Sequence, residues 1–157
     1  MELSQMNLRK RMAYGIACLI SYMKHSGIDP FIYKDEIDIL AQYTSASNLA
    51  QWEIKAKKLI YEKYPHEATW GRIEKFFDNL YWIGASELYG TPSGCNESEV
   101  LLNDILSVLH ESSIDPPDIS LYLLHSLNSS GSVSDCFGNA FVFDWSVIGA
   151  EKTVINN

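Results

Sequence analysis

Leu8, Met12, Ile16, Leu19, Ile20 and Met23 follow one another at intervals of three and four residues, with a single step of one. That spacing places six apolar side chains along one stripe of an α-helix and scatters them over both faces of a strand. The start of the chain is therefore committed to helix, and Gly27 stands where a left-handed cap closes one. Arg9, Lys10 and Arg11 ahead of the apolar run Met12 to Met23 have the outline of a signal peptide. No A-x-A site follows, and Lys24 and His25 end the run, so the segment reads as a central core helix. It is also shorter than the roughly 20 apolar residues that cross a bilayer.

The same period recurs downstream. Asp29-Pro30 breaks the chain, and Ile37, Leu40 and Ala41 outline a short second helix from near Lys34 to around Thr44. Asn48 with Gln51 is a capping-box pattern for a third, whose stripe is Leu49, Trp52, Ala56, Leu59 and Ile60 and which stops before Pro65. A fourth runs from about Thr69 to Tyr89 on Ile73, Phe76, Phe77, Leu80 and Ile83, and Gly90 to Gly94 is a loop. Asn96 with Glu99 predicts the cap of a fifth helix, with Leu101 or Leu102, Ile105 and Leu109 inward.

Asp115-Pro116-Pro117-Asp118 predicts a sixth start, with Asp115 as cap and the helix covering Pro117 to Leu127. The stretch from Asn128 to Asp135 is Ser- and Gly-rich and reads as an exposed loop. Phe141, Phe143, Trp145 and Val147 then alternate as a strand would. A lone strand has no partner in a helical chain, so a seventh helix is expected there. No internal repeat is visible. At 157 residues the expectation is one domain, an all-α compact bundle of about six or seven helices.

Charge is distributed unevenly. Eleven of the 12 lysines and arginines lie between Arg9 and Lys75, and the last is Lys152. Residues 76–151 hold no basic side chain and 11 acids: Asp78, Glu87, Glu97, Glu99, Asp104, Glu111, Asp115, Asp118, Asp135, Asp144 and Glu151. Such a segment cannot neutralise itself by surface pairs, and a cationic partner would offset its self-repulsion. Against this stands a plainer explanation, that Glu97, Glu99, Asp115 and Asp118 cap predicted helices and the rest give solubility. Tyr81, Trp82, Tyr89 and Tyr122 are of the type that anchors interfaces; helical spacing makes most of them core, with Tyr89 the one expected outside.

Several chemistries are excluded. Cys18, Cys95 and Cys136 have no metal-ligand spacing and read as buried apolar residues of a reducing, cytoplasmic compartment. His110-Glu111 lacks the second histidine of a zinc-protease helix, because Ile114 stands in its place. Gly84-Ala85-Ser86-Glu87-Leu88 lacks the second glycine of a nucleophile elbow. Cys18 and His25 are about 10 Å apart along a helix, too far for a nucleophile and its base. No phosphate-binding glycine loop occurs, so no catalytic residue, metal or cofactor is implied. A sequence pI near 4.9 disfavours nucleic acid, and the short basic runs Arg9 to Arg11 and Lys55 to Lys58 read as solvated faces.

In general character, a small acidic helical chain without an active-site motif resembles the bacterial immunity proteins that neutralise cognate toxins in contact-dependent or secretion-system competition. The resemblance implies a protein–protein role in which the acidic half covers a basic toxin, in some cases a nuclease. It transfers no individual residue. The partner-facing set expected from charge and aromaticity is Glu87, Tyr89, Glu97, Glu99, Asp104, Glu111, Asp115, Asp118, Asp135 and Asp144. A helical adaptor or oligomerisation module with an aromatic interface is the second reading, and an enzyme with dispersed catalytic residues the third.

Overall fold

The first helix, α1, spans Leu8–His25 in the computed structural model, which describes residues 2–89, 94–120, 122 and 138–148. Asn7 caps it by accepting from the Lys10 N–H at 2.9 Å. At its other end Gly27 adopts φ 73°, so that Ile28 N–H reaches Met23 O at 2.7 Å and Gly27 N–H reaches Lys24 O at 3.3 Å. These are the paired bonds of a Schellman cap, which a Cβ at Gly27 would strain. All six residues of the apolar stripe are buried.

Four more α-helices pack with it: α2 (Lys34–Ala41), α3 (Leu49–Lys63), α4 (Arg72–Tyr89) and α5 (Gly94–Glu111). The described residues form an all-α architecture of five α-helices with no strand, one or two fewer helices than the sequence leads one to expect. α1 is central, lying against α2, α4 and α5, while α3 lies outside against α2 and α4. At Gly15 a Cβ would come 2.5 Å from Leu80 Cδ2, so the missing side chain lets α4 approach α1 closely. The predicted stripes are inward as expected, Leu102 rather than Leu101 being the fully buried member of the α5 pair.

The basic run at the start of α1 departs from expectation. Arg9, Lys10 and Arg11 are all buried, not solvated. Arg9 donates to Tyr43 O at 2.7 Å and Ala46 O at 2.9 Å, covering carbonyls just beyond the end of α2. Arg11 donates to Leu3 O at 3.2 Å and to Ser98 Oγ at 2.6 Å. A guanidinium has five donors in a fixed fork, so it can enter a core where several oxygens converge. The Lys10 ammonium stands 3.8 Å from the Phe141 ring centroid, and burial lowers its pKa. The second run, Lys55, Lys57 and Lys58, is exposed as expected.

Two predicted helix starts move. α5 begins at Gly94, which places Asn96 and Glu99 inside its first turns rather than at a cap. Residues 114–118 are not helical, and the cap falls at Asp118 instead of Asp115: its carboxylate accepts from Ser120 N–H at 2.9 Å and Ser120 Oγ at 2.7 Å. A residue before a proline is disfavoured in the α region, which fits Asp115 and Pro116 standing outside the helix. Most of the predicted sixth helix, from Leu123 onward, and the loop from Asn128 to Asp135 lie outside the described residues.

Residues 138–144 are neither strand nor helix, and Trp145–Val147 is a single 3₁₀ turn, so the described part of the expected seventh helix is instead an extended strap. It runs along α1 from Asn7, beside Gly138, to Lys24, which donates to Ile148 O. On its other side Phe141 N–H donates to Thr44 O at 2.8 Å, and the Trp145 indole donates to Asp38 at 2.7 Å. Phe141, Phe143 and Trp145 point inward while Val142, Asp144 and Ser146 are exposed. The period-two alternation of the sequence is therefore real, but its partner is a groove between two helices.

Candidate functional site

α5 carries the acids that the sequence singles out, and its orientation is fixed from within. Leu102, Ile105 and Leu109 bury one side, and Ser98, itself buried, is held by Arg11. The opposite side then has to face solvent. Glu97, Asp104 and Glu111 are all exposed and are seven residues apart. Seven residues fall about 20° short of two full turns, so the three form a nearly straight row. Neighbours in it are separated by about 10 Å of helix rise and the whole row spans about 21 Å. Among the described residues no lysine or arginine pairs with any of the three.

The remaining expected residues do not join this row as a set. Glu99 is half-buried and turned towards the Arg11 guanidinium, 3.9 Å away. Asp118 is exposed and bound to Ser120; the Ser120 hydroxyl first, and its N–H second, hold the Asp118 carboxyl below its ordinary value. Asp144 likewise accepts from Ser146, and Asp115 is exposed in the preceding loop. The side chains of Glu87 and Tyr89, and Asp135 altogether, lie outside the described residues. Of the aromatic candidates, Tyr81 is buried, and Tyr122 packs edge-on against Tyr14 with centroids 5.2 Å apart. Trp82 is 39% exposed, which charge and spacing did not single out.

Asp78, the first acid of the cation-free segment, takes a different place. It is half-buried and accepts a hydrogen bond from the Tyr61 hydroxyl, in an open recess between α3 and α4. Sequence reasoning missed this recess because Tyr61, Trp70 and Asp78 come from separate elements. A weak signal existed in the density of aromatic residues between Tyr61 and Trp82.

Other chemistry is sparse. Cys18 is buried, as expected, and burial raises its thiol pKa, which leaves it unreactive. Among the described residues no group of three His, Cys, Asp or Glu could hold a metal ion, and no helix is long and apolar enough to cross a membrane. Comparisons of the chain with protein-family models, with curated proteins and with solved structures give no match.

Proposed function

We propose that this chain is a binding protein that engages a cationic protein partner through the outer face of α5. The narrower form of the proposal is an immunity protein that occludes a basic toxin, its acids competing for the groove in which a nuclease toxin would hold phosphate. The row of Glu97, Asp104 and Glu111 carries this reading. Helix capping accounts for only one of its members. Glu97 lies in the first turn, where the helix dipole favours an acid, but Asp104 is central and Glu111 sits at the C-terminal end, where the dipole disfavours one. Exposed carboxylates that helix capping does not explain, one of them set against its own helix field, with no cation paired to them among the described residues, fit a surface whose counter-charge arrives from outside.

The test uses the basic protein encoded beside this chain in its genome, titrated by calorimetry and stopped flow at low and high salt. The triple variant E97Q/D104N/E111Q is expected to slow association roughly tenfold at low salt and to flatten the salt dependence. Rates indifferent both to salt and to the three substitutions would remove α5 from the interface. A genome neighbourhood without a basic secreted toxin would remove the immunity role and leave the electrostatic binding to be tested on its own. The adaptor reading has less support, since Tyr81 and Tyr122 pack internally.

A further inference from the structure

Between α3 and α4 the chain encloses an open recess of about 620 Å³, within the range of small-molecule sites. Tyr61, Tyr64, Trp70, Tyr81 and Trp82 form its walls, and Asp78 is set among them. The polar ends of most of these rings are already committed. The Trp70 indole N–H donates to Tyr64 O at 3.0 Å, and the Tyr81 hydroxyl donates to Glu53. The Tyr61 hydroxyl donates to Asp78. What the recess offers an incoming molecule is therefore ring faces and edges together with a carboxylate, with few free donors.

That inventory selects a class of ligand. Sugars and nucleotides need several donors and acceptors, and an anion would meet Asp78 and the rim carboxylate Glu67. Burial first, and then the neighbouring carboxylates, raise the pKa values of Tyr61 and Tyr64, so both phenols stay neutral and their faces keep the electron-rich character of an uncharged ring. With Lys57 at the rim, the lining holds two carboxylates and one ammonium. Lys57 makes no ion pair with Asp78 among the described residues, so the half-buried carboxylate has a phenol for a partner and no cation. Ring faces attract a cation through their quadrupole, and a nearby carboxylate adds direct charge.

We infer that the recess is a binding site for an alkylated ammonium group, cradled by Trp70, Trp82 and Tyr61 and neutralised by Asp78. A quaternary head has no N–H and needs no directed hydrogen bond, which suits walls that offer ring faces and the charge of one carboxylate. The volume leaves room for an organic body attached to that head. The inference is independent of the acidic face of α5.

The probe is choline, followed by tryptophan fluorescence and calorimetry against its neutral carbon isostere 3,3-dimethylbutan-1-ol. Choline is expected to bind at least tenfold more tightly than the isostere. D78N keeps an acceptor for the Tyr61 hydroxyl while removing the charge, and is expected to lose roughly tenfold in choline affinity with unchanged circular dichroism. W82A should lose a similar factor, whereas E97Q/D104N/E111Q should bind choline as the parent does. A short peptide carrying trimethyllysine separates the sources of the group: tighter binding than choline assigns the site to a protein side chain, weaker or equal binding to a free small molecule. Equal affinity for choline and the isostere, or no binding of either cation up to about 50 mM, would overturn the inference. The isostere comparison uses the unaltered protein, so it decides the matter even where D78N fails to fold.

Discussion

The start of α1 and the outer side of α5 are both rich in charge and dispose of it in opposite ways. Arg9, Lys10, Arg11, Glu36 and Glu53 are the buried charged residues among those described, and all fall within the first 53 positions. Along α5, Glu97, Asp104 and Glu111 stand in solvent. Burial of a charge requires a partner that repays its lost hydration. The first part of the chain contains both signs and converging carbonyls, so it can take charges inside: Glu36 meets Lys63, and Glu53 accepts from Tyr81. The segment 76–151 has acids and no lysine or arginine. Its acids turn outwards, borrow Arg11, as Glu99 does, or settle for hydroxyl and amide donors, as Asp78, Asp118 and Asp144 do.

The largest effect should follow from breaking the buried side of this contrast. Arg11 is 3% exposed and binds both Leu3 O and Ser98 Oγ beside Glu99. Arg11→Ala would leave those oxygens buried and without their donor, and is expected to destabilise the fold by about 3 kcal/mol or more in urea unfolding. Arg11→Lys should recover only part of the loss, because an ammonium cannot reproduce the fork that spans both oxygens. A cost near zero for Arg11→Ala would mean that the burial of the basic run is incidental, and the contrast with α5 would lose its meaning.

A smaller effect is expected where the strap meets α2. Trp145→Phe keeps most of the ring that packs on Phe31, with centroids 5.1 Å apart, and removes the indole bond to Asp38. The expected loss is about 1 kcal/mol. Acid probes the same contact. Burial alone would raise the Asp38 carboxyl, but hydrogen bonds from Lys34 and Trp145, with the Lys34 charge, outweigh it and hold the pKa below the ordinary value. A depressed carboxyl contributes stability that is complete above its unfolded pKa of about 3.9 and is lost as pH falls through the lower folded value. The fluorescence of Trp145 should therefore report loosening of the strap only below about pH 4. A strap signal that moves between pH 5 and 7 would assign the contact to another group.

How much of this was legible in the sequence depended on the range of the interaction. The cap at Asn48, the turn at Gly27 and the inward stripes are set by residues within a few positions of one another, and the sequence shows them. The fate of the basic run was hidden, because Arg9 finds its carbonyls 34 and 37 residues away and Arg11 finds Ser98 at a separation of 87. A basic run on paper looks the same whether it faces water or the tail of another helix. The strap shows the intermediate case: Phe141, Phe143 and Trp145 announce a two-sided extended segment, but nothing local says that its partner is a helical groove. Of the site, the acids of residues 76–151 were visible as a list, and the sorting of those described into a row, a pair with Arg11 and local turns required the third dimension.

The smallest effect on stability belongs to the exposed side, and there the contrast is at its sharpest. Neighbouring carboxylates in the row are about 10 Å apart along the helix, a separation at which two unit charges in water repel by about 0.4 kcal/mol and which is comparable to the screening length at physiological salt. Replacing Glu97, Asp104 and Glu111 by their amides is therefore expected to change stability by no more than about 0.5 kcal/mol. The direction should be slightly favourable for Glu111, which is relieved of the negative end of the helix, and slightly unfavourable for Glu97, which loses the positive end. Single and triple variants compared by urea unfolding at low and moderate salt would resolve the two signs. A cost of several kcal/mol would show that the row serves the fold through contacts of its own, and the charges of α5 would then belong with those of α1. A change near zero would leave these three carboxylates unexplained by stability, as residues retained for an interaction should be.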